Sequence, residues 1–194
     1  MARPRAFDEA VALQKALDTF WHRGYSATSM EDLVAGTGLN RASLYATFGD
    51  KHQLFMRALR QYQQQAYQNL TALTADPDVP ALDHVRQILA LTAGLCFADE
   101  QQKGCFMVNT ITELVPYDAE AHAVASQYQQ FFETLLTTIL SRGQQRGEVR
   151  PTAPPQAQAR LLLSVLNGLR VLSKANSDPQ LLQDVLNTAL LALA

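Results

Sequence analysis

The sequence is poor in cysteine and in long apolar runs, and each shortage excludes a class of protein. Two cysteines, Cys96 and Cys105, cannot build a disulfide framework, so we expect a reducing cytoplasm as the setting of this chain. No apolar run reaches about 18 residues, so no membrane span is expected. The opening stretch MARPRAFDEA has two arginines and no apolar core, which does not fit a secretory signal.

Motifs for cofactor and metal chemistry are also missing. There is no glycine-rich phosphate loop and no Gly-x-Ser-x-Gly. The four histidines are dispersed, and Asp118 with His122 one turn later offers too few ligands for a metal ion. We therefore expect no cofactor, no metal and no enzymatic activity.

Neither sign of charge is in large excess, because the 194 residues carry 16 basic and 18 acidic side chains. The distribution is uneven, since residues 1–60 hold eight Lys or Arg against six Asp or Glu and residues 61–194 hold eight against twelve. This change of sign favours an N-terminal part, the head, that binds an anion and a C-terminal part, the body, that does not. The 47% content of hydrophobic residues is that of a globular protein.

Apolar residues recur with a period near 3.6 along almost the whole chain, which predicts an all-α fold. We expect a three-helix head at residues 1–50 and a helical ligand-binding and dimerisation body at residues 51–194. Helices are predicted at about 7–23, 41–48, 51–75, 82–97, 104–115, 119–146 and 156–174, with a last one from residue 179.

A further short helix is predicted between the first helix and the 41–48 helix. Thr28 is expected to cap it, with Glu31 completing a capping box, and Asn40 to cap the next helix. Gly38 lies in the turn between them, where a left-handed conformation costs glycine nothing, and Leu44 packs into the angle between the two helices. Such a pair is a helix-turn-helix candidate.

The outward side of this pair carries hydroxyl, amide and cationic groups, which suit phosphate oxygens and base edges of duplex DNA. Lys51 joins its charge to the exposed N–H groups of a helix start, as a phosphate site requires. Arg3 and Arg5 lie on a tail that we expect to reach phosphate or minor groove. The candidate DNA contacts are Thr28, Ser29, Asn40, Arg41, Ser43, Tyr45, Thr47 and Lys51.

The segment GYSATSMEDLVAGTGLNRASLYATFGDKHQLF, residues 24–55, resembles the DNA-binding head of the tetracycline-repressor-like (TetR) family of bacterial regulators. The matching positions are Thr28, Gly38, Leu44, Tyr45, Phe48 and Lys51. The resemblance implies that Tyr45 and Lys51 contact phosphates and that Arg41 and Thr47 contact bases or backbone. It also implies a homodimer that binds a palindromic, double-stranded operator.

Two long helices of the body, at about 119–146 and 156–174, carry apolar stripes wider than one partner needs. We expect them to form a four-helix dimer interface, with Gly168 allowing close approach; the alternative is that both are core helices. A ligand pocket is expected among the other body helices. Its candidate lining is Leu91, Leu95, Phe97, Phe106, Met107, Thr110 and Ile111, although residues of these types are more often core than ligand wall.

Cys105 is the candidate for a reactive, signal-sensing thiol in the body. It follows Gly104 at a predicted helix start near Lys103, and helix N–H groups and a cation both stabilise a thiolate. The segment 103–114 resembles one in a TetR subgroup that responds to electrophiles or oxidants through a cysteine, and Lys174 resembles a second cationic position of those sensors. The alternative is a buried, inert cysteine, which is also our expectation for Cys96.

Together these patterns predict a DNA-binding transcriptional regulator, a homodimeric repressor released by a small-molecule or electrophile inducer. Activation in place of repression stays open at this stage. The rival from another class is an all-helical thiol enzyme, or a ligand carrier, whose helix-turn-helix is only packing.

Overall fold

The computed structural model describes residues 7–176 and 178–193, and all regular structure in these ranges is α-helical. The predicted all-α fold is therefore confirmed, whereas Arg3 and Arg5 lie outside the described residues. The helices are α1 Glu9–Arg23, α2 Met30–Thr37, α3 Arg41–Phe48, α4 Lys51–Leu73, α5 Ala81–Phe97, α6 Phe106–Glu113, α7 Ala119–Gln145, α8 Pro155–Leu172 and α9 Pro179–Leu191. Within the described ranges, none of these helices is long and apolar enough to cross a membrane.

Short polar side chains set most of the helix starts. Asp8, Asn40, Asp50 and Asp118 each accept a backbone N–H from the first turn of the helix that follows, as expected for N-caps. A capping box starts α4, because the side chains of Asp50 and Gln53 each bond to the other residue's backbone N–H.

The predicted cap of α2 is wrong by one residue. Ser29 caps this helix and forms the capping box with Asp32, so Thr28 and Glu31 do not. The Thr28 hydroxyl instead donates a 2.6 Å hydrogen bond to the carbonyl of Gly24 and is turned into the protein. Because that hydroxyl is already bonded, the next residue takes the capping position.

The head and the body share one apolar core. In the head, Leu17 and Phe20 of α1, Leu33 of α2 and Leu44 of α3 are all buried. Phe20 packs edge-on against Phe55 of α4 with ring centroids 5.1 Å apart. Since α4 packs against α1, α6 and α7, this helix carries the head on the body. The division at residue 50 stays a prediction.

Polar contacts also join α6 and the loop before it to the head. The indole N–H of Trp21 donates to the carbonyl of Gly104 at 3.0 Å. Within the body, His52 Nε2 lies 2.6 Å from the Asp118 carboxylate and ties α4 to the start of α7. Glu113, at the end of α6, accepts backbone N–H groups of the loop after α1. The end of α6 is therefore bonded directly to the loop that precedes α2.

Candidate nucleic-acid interface and body cavity

The turn between α2 and α3 has the conformation that the glycine predicts. Gly38 has φ 74° and ψ 10°, a left-handed geometry, and its N–H donates to the carbonyl of Val34 at 3.0 Å. Leu44 and Phe48 are buried beneath α3. The apolar side of α3 therefore fixes this helix against the head and leaves its other side outward.

Arg41 and Tyr45 are neighbours on the outward side of α3. The guanidinium of Arg41 contacts the Tyr45 hydroxyl at 3.4 Å and lies 5.6 Å from the centre of its ring. It also forms a 3.2 Å ion pair with Glu31 of α2, and both of these charged side chains are exposed. An exposed pair of this kind contributes little to stability, so its guanidinium is readily given up to another anion.

The other polar residues of this face serve the local structure as well. The Asn40 side chain accepts the N–H of Ser43 at 2.8 Å, and the Ser29 hydroxyl bonds to Asp32. The carbonyl of Thr47 accepts Arg57 at 3.1 Å. These bonds hold α2 and α3 in place, and Ser29 and Asn40 remain exposed.

Thr28 and Lys51 differ in how accessible their side chains are at the outward surface of the head. The Thr28 side chain is only 1% exposed, so its hydroxyl does not lie on the outward surface. Lys51 opens α4, and its ammonium lies 4.5 Å from the centre of the Tyr25 ring. This cation–π contact places a positive charge where the N–H groups of α4 begin. The DNA roles of all eight candidate residues stay predictions.

A cavity of about 400 Å³ lies between α1, α4, α5, α7 and α8. This volume falls in the usual range of small-molecule sites. Four aromatic residues on its wall are Trp21, Tyr62, Tyr128 and Phe132. Its polar side chains include Gln14, Gln65, Asn69, Asp99, Lys103 and Arg170.

Of the predicted lining residues, the structure places only Leu91 and Leu95 on this wall. Phe97, Phe106, Met107, Thr110 and Ile111 lie elsewhere in the packed body. Phe106 instead joins an aromatic cluster with Trp21, Phe55 and Tyr62, at centroid distances of 5.5–6.3 Å. The reason is that α6 packs its apolar face against α4 and α7, so these side chains fill the contact between helices.

Cys105 is buried behind the cavity wall. It is only 1% exposed, and its Sγ lies 3.3 Å from the hydroxyl of Tyr62, which does line the cavity. The neighbouring Gly104 is also on the wall. The ammonium of Lys174 donates to Asn109 Oδ1 at 3.2 Å, so asparagine is its hydrogen-bond acceptor. Both cysteines are free thiols.

Most residues on the wall escaped sequence reasoning, Cys96 and Arg170 among them. Cys96 belongs to the buried core, as expected, and also lines the cavity; burial raises the pKa of its thiol to about 11. Arg170 is buried in α8 and also lines the cavity. The available signal was its position directly after Leu169, on the inward stripe of α8, where an arginine is out of place. Among the described residues, no cluster of three or more potential metal ligands occurs.

Comparison with protein families matches both parts of the chain. Residues 12–58 match the model of bacterial regulatory proteins of the TetR family, and residues 81–189 match the tetracyclin repressor-like C-terminal domain. The HTH-type transcriptional repressor ComR of Escherichia coli K12 is 29% identical over 188 residues, which cover 97% of this chain and 90% of ComR. The uncharacterised HTH-type regulator YezE of Bacillus subtilis 168 is 28% identical over the full length of both chains.

Solved structures show the same architecture. A cysteine mutant of the TetR family regulator CifR, complexed with 26-base-pair operator DNA, is 31% identical, has a TM-score of 0.82 and covers 100% of both chains. The reduced form of NemR from E. coli has a TM-score of 0.82 at 18% identity, covering 94% of this chain and 97% of NemR, and so shares the fold. The chain belongs to the TetR family of bacterial regulatory proteins and is a DNA-binding transcriptional regulator.

Proposed function

We propose that this protein is a homodimeric repressor that binds a palindromic operator through α2 and α3. The observation that carries the proposal is the orientation of α3: Leu44 and Phe48 are buried, while Arg41 and Tyr45 point outward. ComR supports the proposal because it is a named repressor, and CifR supports it because it is a regulator complexed with operator DNA. Two heads of one dimer would meet two half-sites roughly 34–36 Å apart on one side of the DNA.

The dimer is supported by the outer face of α8. Leu161 and Leu172 are exposed there, and Gly168 between them has open space in front of its Cα. Exposed apolar residues at helical spacing around a glycine allow two helices to approach closely. The outward side of α7 is polar, with Gln127, Gln130, Thr134 and Thr138 exposed. We infer that α8 supplies the apolar part of the interface and α7 its polar part.

The release signal is proposed to enter through the body cavity. The cavity wall includes Trp21, which also bonds to Gly104 just before α6. The other end of α6 holds the head through Glu113. A ligand that moves this wall therefore acts on both ends of α6 and changes the separation of the heads. Coupling of this kind is typically worth about 1–3 kcal/mol.

Modification of Cys105 is a second candidate trigger. The observation that favours it is the contact of the thiol with Tyr62, because a group added to Sγ would displace a residue of the cavity wall. An enzyme would need a base beside the thiol, and among the described residues the hydrogen-bond neighbour of Cys105 is a tyrosine. The regulator with a thiol or ligand trigger is thus preferred to a thiol enzyme.

The proposal is tested by a gel-shift assay on the DNA upstream of the protein's own gene, with excess random DNA as competitor. Wild type is expected to form one dimer complex that weakens steeply with salt, because phosphates supply most contacts. Lys51→Ala should lose binding, while Lys15→Ala, an exposed lysine of α1, should keep it. Equal loss in both variants, or no complex at low salt with folded protein, would contradict the proposal.

A further inference from the structure

Arg170 is a buried cation without a matching anion. Its side chain is 3% exposed, and no carboxylate in the described part of the chain forms an ion pair with it. The hydrogen bond from its guanidinium to Asn167 is long, 3.4 Å from Nη1 to Oδ1, and the Tyr128 hydroxyl is a further side-chain neighbour. Its Nε–H has no partner at all among the described residues. Burying an ion in this way is costly unless something pairs with it.

The groups around Arg170 do not supply the missing charge. Its guanidinium carbon lies 5.4 Å from the centre of the Phe132 ring, a favourable but uncharged contact. Burial raises the pKa of both Tyr62 and Tyr128, so these phenols stay neutral at neutral pH. Cys105 Sγ is in contact with the Tyr62 hydroxyl. Among the described residues, the guanidinium therefore has phenols, thiols and an aromatic ring as neighbours, and no carboxylate partner.

The cavity that Arg170 borders has an excess of positive charge. Its charged wall residues are Arg170, Lys103 and Asp99. The Asp99 carboxylate is occupied, because it accepts the backbone N–H groups of Gln101 at 3.2 Å and of Lys103 at 2.8 Å and pairs with the Lys103 ammonium at 3.9 Å, which leaves the charge of Arg170 unbalanced. The Lys103 ammonium lies over the Trp21 ring, 5.1 Å from its centre. An anion entering this space meets a cation and no free carboxylate.

We propose that the cavity binds a small organic acid whose carboxylate pairs with Arg170 and whose ring packs against the aromatic wall formed by Trp21, Tyr62 and Tyr128. The planar fork of a guanidinium matches a carboxylate with two parallel hydrogen bonds, and its free Nε–H is one of the donors available. Aromatic walls favour a flat apolar body over a sugar or a peptide. About 400 Å³ accommodates one or two rings.

The anion site names the class of ligand for the proposed ligand response. Only the release of DNA by that ligand rests on the proposed function, because binding of the acid is measured without DNA. Isothermal titration calorimetry on the full-length, thiol-reduced protein would compare benzoate and 2-naphthoate with benzamide and 2-naphthamide. Each amide has the shape of its acid but no charge. We expect the acids to bind at least about tenfold more tightly than the matched amides.

Arg170→Met is the decisive variant. It removes a buried unpaired charge and keeps an apolar side chain of similar length, so it should fold at least as stably as wild type. Its affinity for the acids should fall to that for the amides. Arg170→Lys keeps the charge and should keep part of the preference. Arg86→Met, an exposed arginine of α5 outside the cavity, is the matched control and should bind as wild type does.

Three results would overturn the anion site: equal binding of acids and amides, a full acid preference in Arg170→Met, or no binding of any of the four at millimolar concentration. The gel-shift assay with 2-naphthoate separates the anion site from the proposed release of DNA by a ligand. If the acid binds with the expected preference but leaves operator affinity unchanged, the anion site stands and the proposed ligand response fails.

Discussion

Glu113 of α6 accepts a 2.7 Å hydrogen bond from the backbone N–H of Ser26, in the loop that leads into α2. A second bond of 3.0 Å comes from the N–H of Tyr25. One carboxylate from the body thus satisfies two backbone donors of the head. Because charged acceptors make stronger hydrogen bonds than neutral ones, this contact is a principal polar link between the two parts.

We predict that Glu113→Gln lowers the free energy of unfolding by about 1 kcal/mol at neutral pH, since an amide offers one oxygen where the carboxylate offers two. Urea denaturation followed by circular dichroism measures this. The control is Glu120→Gln, which breaks an exposed 2.7 Å ion pair with Arg60 and should change stability by less than about 0.5 kcal/mol. An equal loss of stability in both variants would show that the Glu113 contact stabilises the fold no more than an exposed ion pair does.

The same contact predicts a pH dependence. Burial alone would raise the pKa of Glu113, but the hydrogen bonds from Ser26 and Tyr25 lower it overall. A carboxyl whose folded pKa is lowered contributes stability above its ordinary pKa and loses it as the pH falls through the folded value. The difference between wild type and Glu113→Gln should therefore shrink in acid. A difference that grows in acid would contradict this sign.

Arg41 is predicted to read a base. Arg41→Ala should cost about 1–3 kcal/mol on the operator and relax preference at one base pair, because a guanidinium can bond to guanine in the major groove. Lys51→Ala should weaken binding to all sequences alike. Fluorescence anisotropy on the operator, on single-substituted operators and on random duplex measures both. Equal losses of Arg41→Ala on operator and random DNA would mean that Arg41 contacts only the backbone.

Cys105 is predicted to be the thiol through which an electrophile releases DNA. Treatment with a quinone or maleimide should release wild type and Cys96→Ser, and should leave Cys105→Ser bound. Cys96 is the matched control because its thiol, with a pKa of about 11, stays protonated near neutral pH and reacts poorly. Mass spectrometry identifies the modified residue. Release of Cys105→Ser as readily as wild type excludes this thiol as the trigger.

His84 is predicted to make stability fall in weak acid. Burial, and then the nearby guanidinium of Arg142, lower the pKa of His84. Its Nδ1 accepts a 3.0 Å hydrogen bond from Arg142, which fits the neutral ring. A histidine with a lowered folded pKa contributes stability above its ordinary pKa of about 6.5, and that stability is lost as the pH falls toward the folded value.

Thermal unfolding between about pH 7.5 and pH 5.5 measures this effect. His84→Gln should flatten the dependence, whereas His122→Gln should not, because His122 is exposed on α7. If the two variants have the same pH profile as wild type, the buried ring does not set the acid sensitivity.

The outer face of α8 is predicted to hold the dimer together. Leu161→Asp places a charge on a side chain that is 56% exposed in the single chain, and it should give monomers with much weaker operator binding. Leu191→Asp is the control, because Leu191 is 73% exposed on α9. Analytical ultracentrifugation distinguishes the two states. A dimeric Leu161→Asp with full DNA affinity would place the interface elsewhere.

Local signals in the sequence were sufficient to predict the helix limits around the turn of the head. The predicted limits of α3, residues 41–48, match the structure because Asn40 and Gly49 stand directly on either side. The cap of α2 could not be decided locally, since Thr28 and Ser29 are both good caps. The burial of Thr28 against Gly24 settled it, and burial depends on tertiary packing.

The cavity depended on contacts between distant parts of the chain. Helical periodicity places Arg170 on the inward stripe of α8 but does not say that Trp21 of α1 lies on the same wall. Leu91 and Leu95 were found because they lie on the side of α5 that faces the cavity, whereas the apolar residues of α6 pack against other helices. Which apolar face meets a neighbour and which meets a cavity is decided by the arrangement of all the helices.

Recognition of duplex DNA by the outward side of α3 can be tested by selection from a random pool of double-stranded oligonucleotides at low ionic strength. We expect enrichment of a palindrome whose half-sites lie one helical turn or a multiple of it apart, and loss of this enrichment in a folded Arg41→Ala, Tyr45→Ala double variant. Folded wild-type protein that enriches no sequence, or a double variant that enriches the same palindrome equally well, would contradict it.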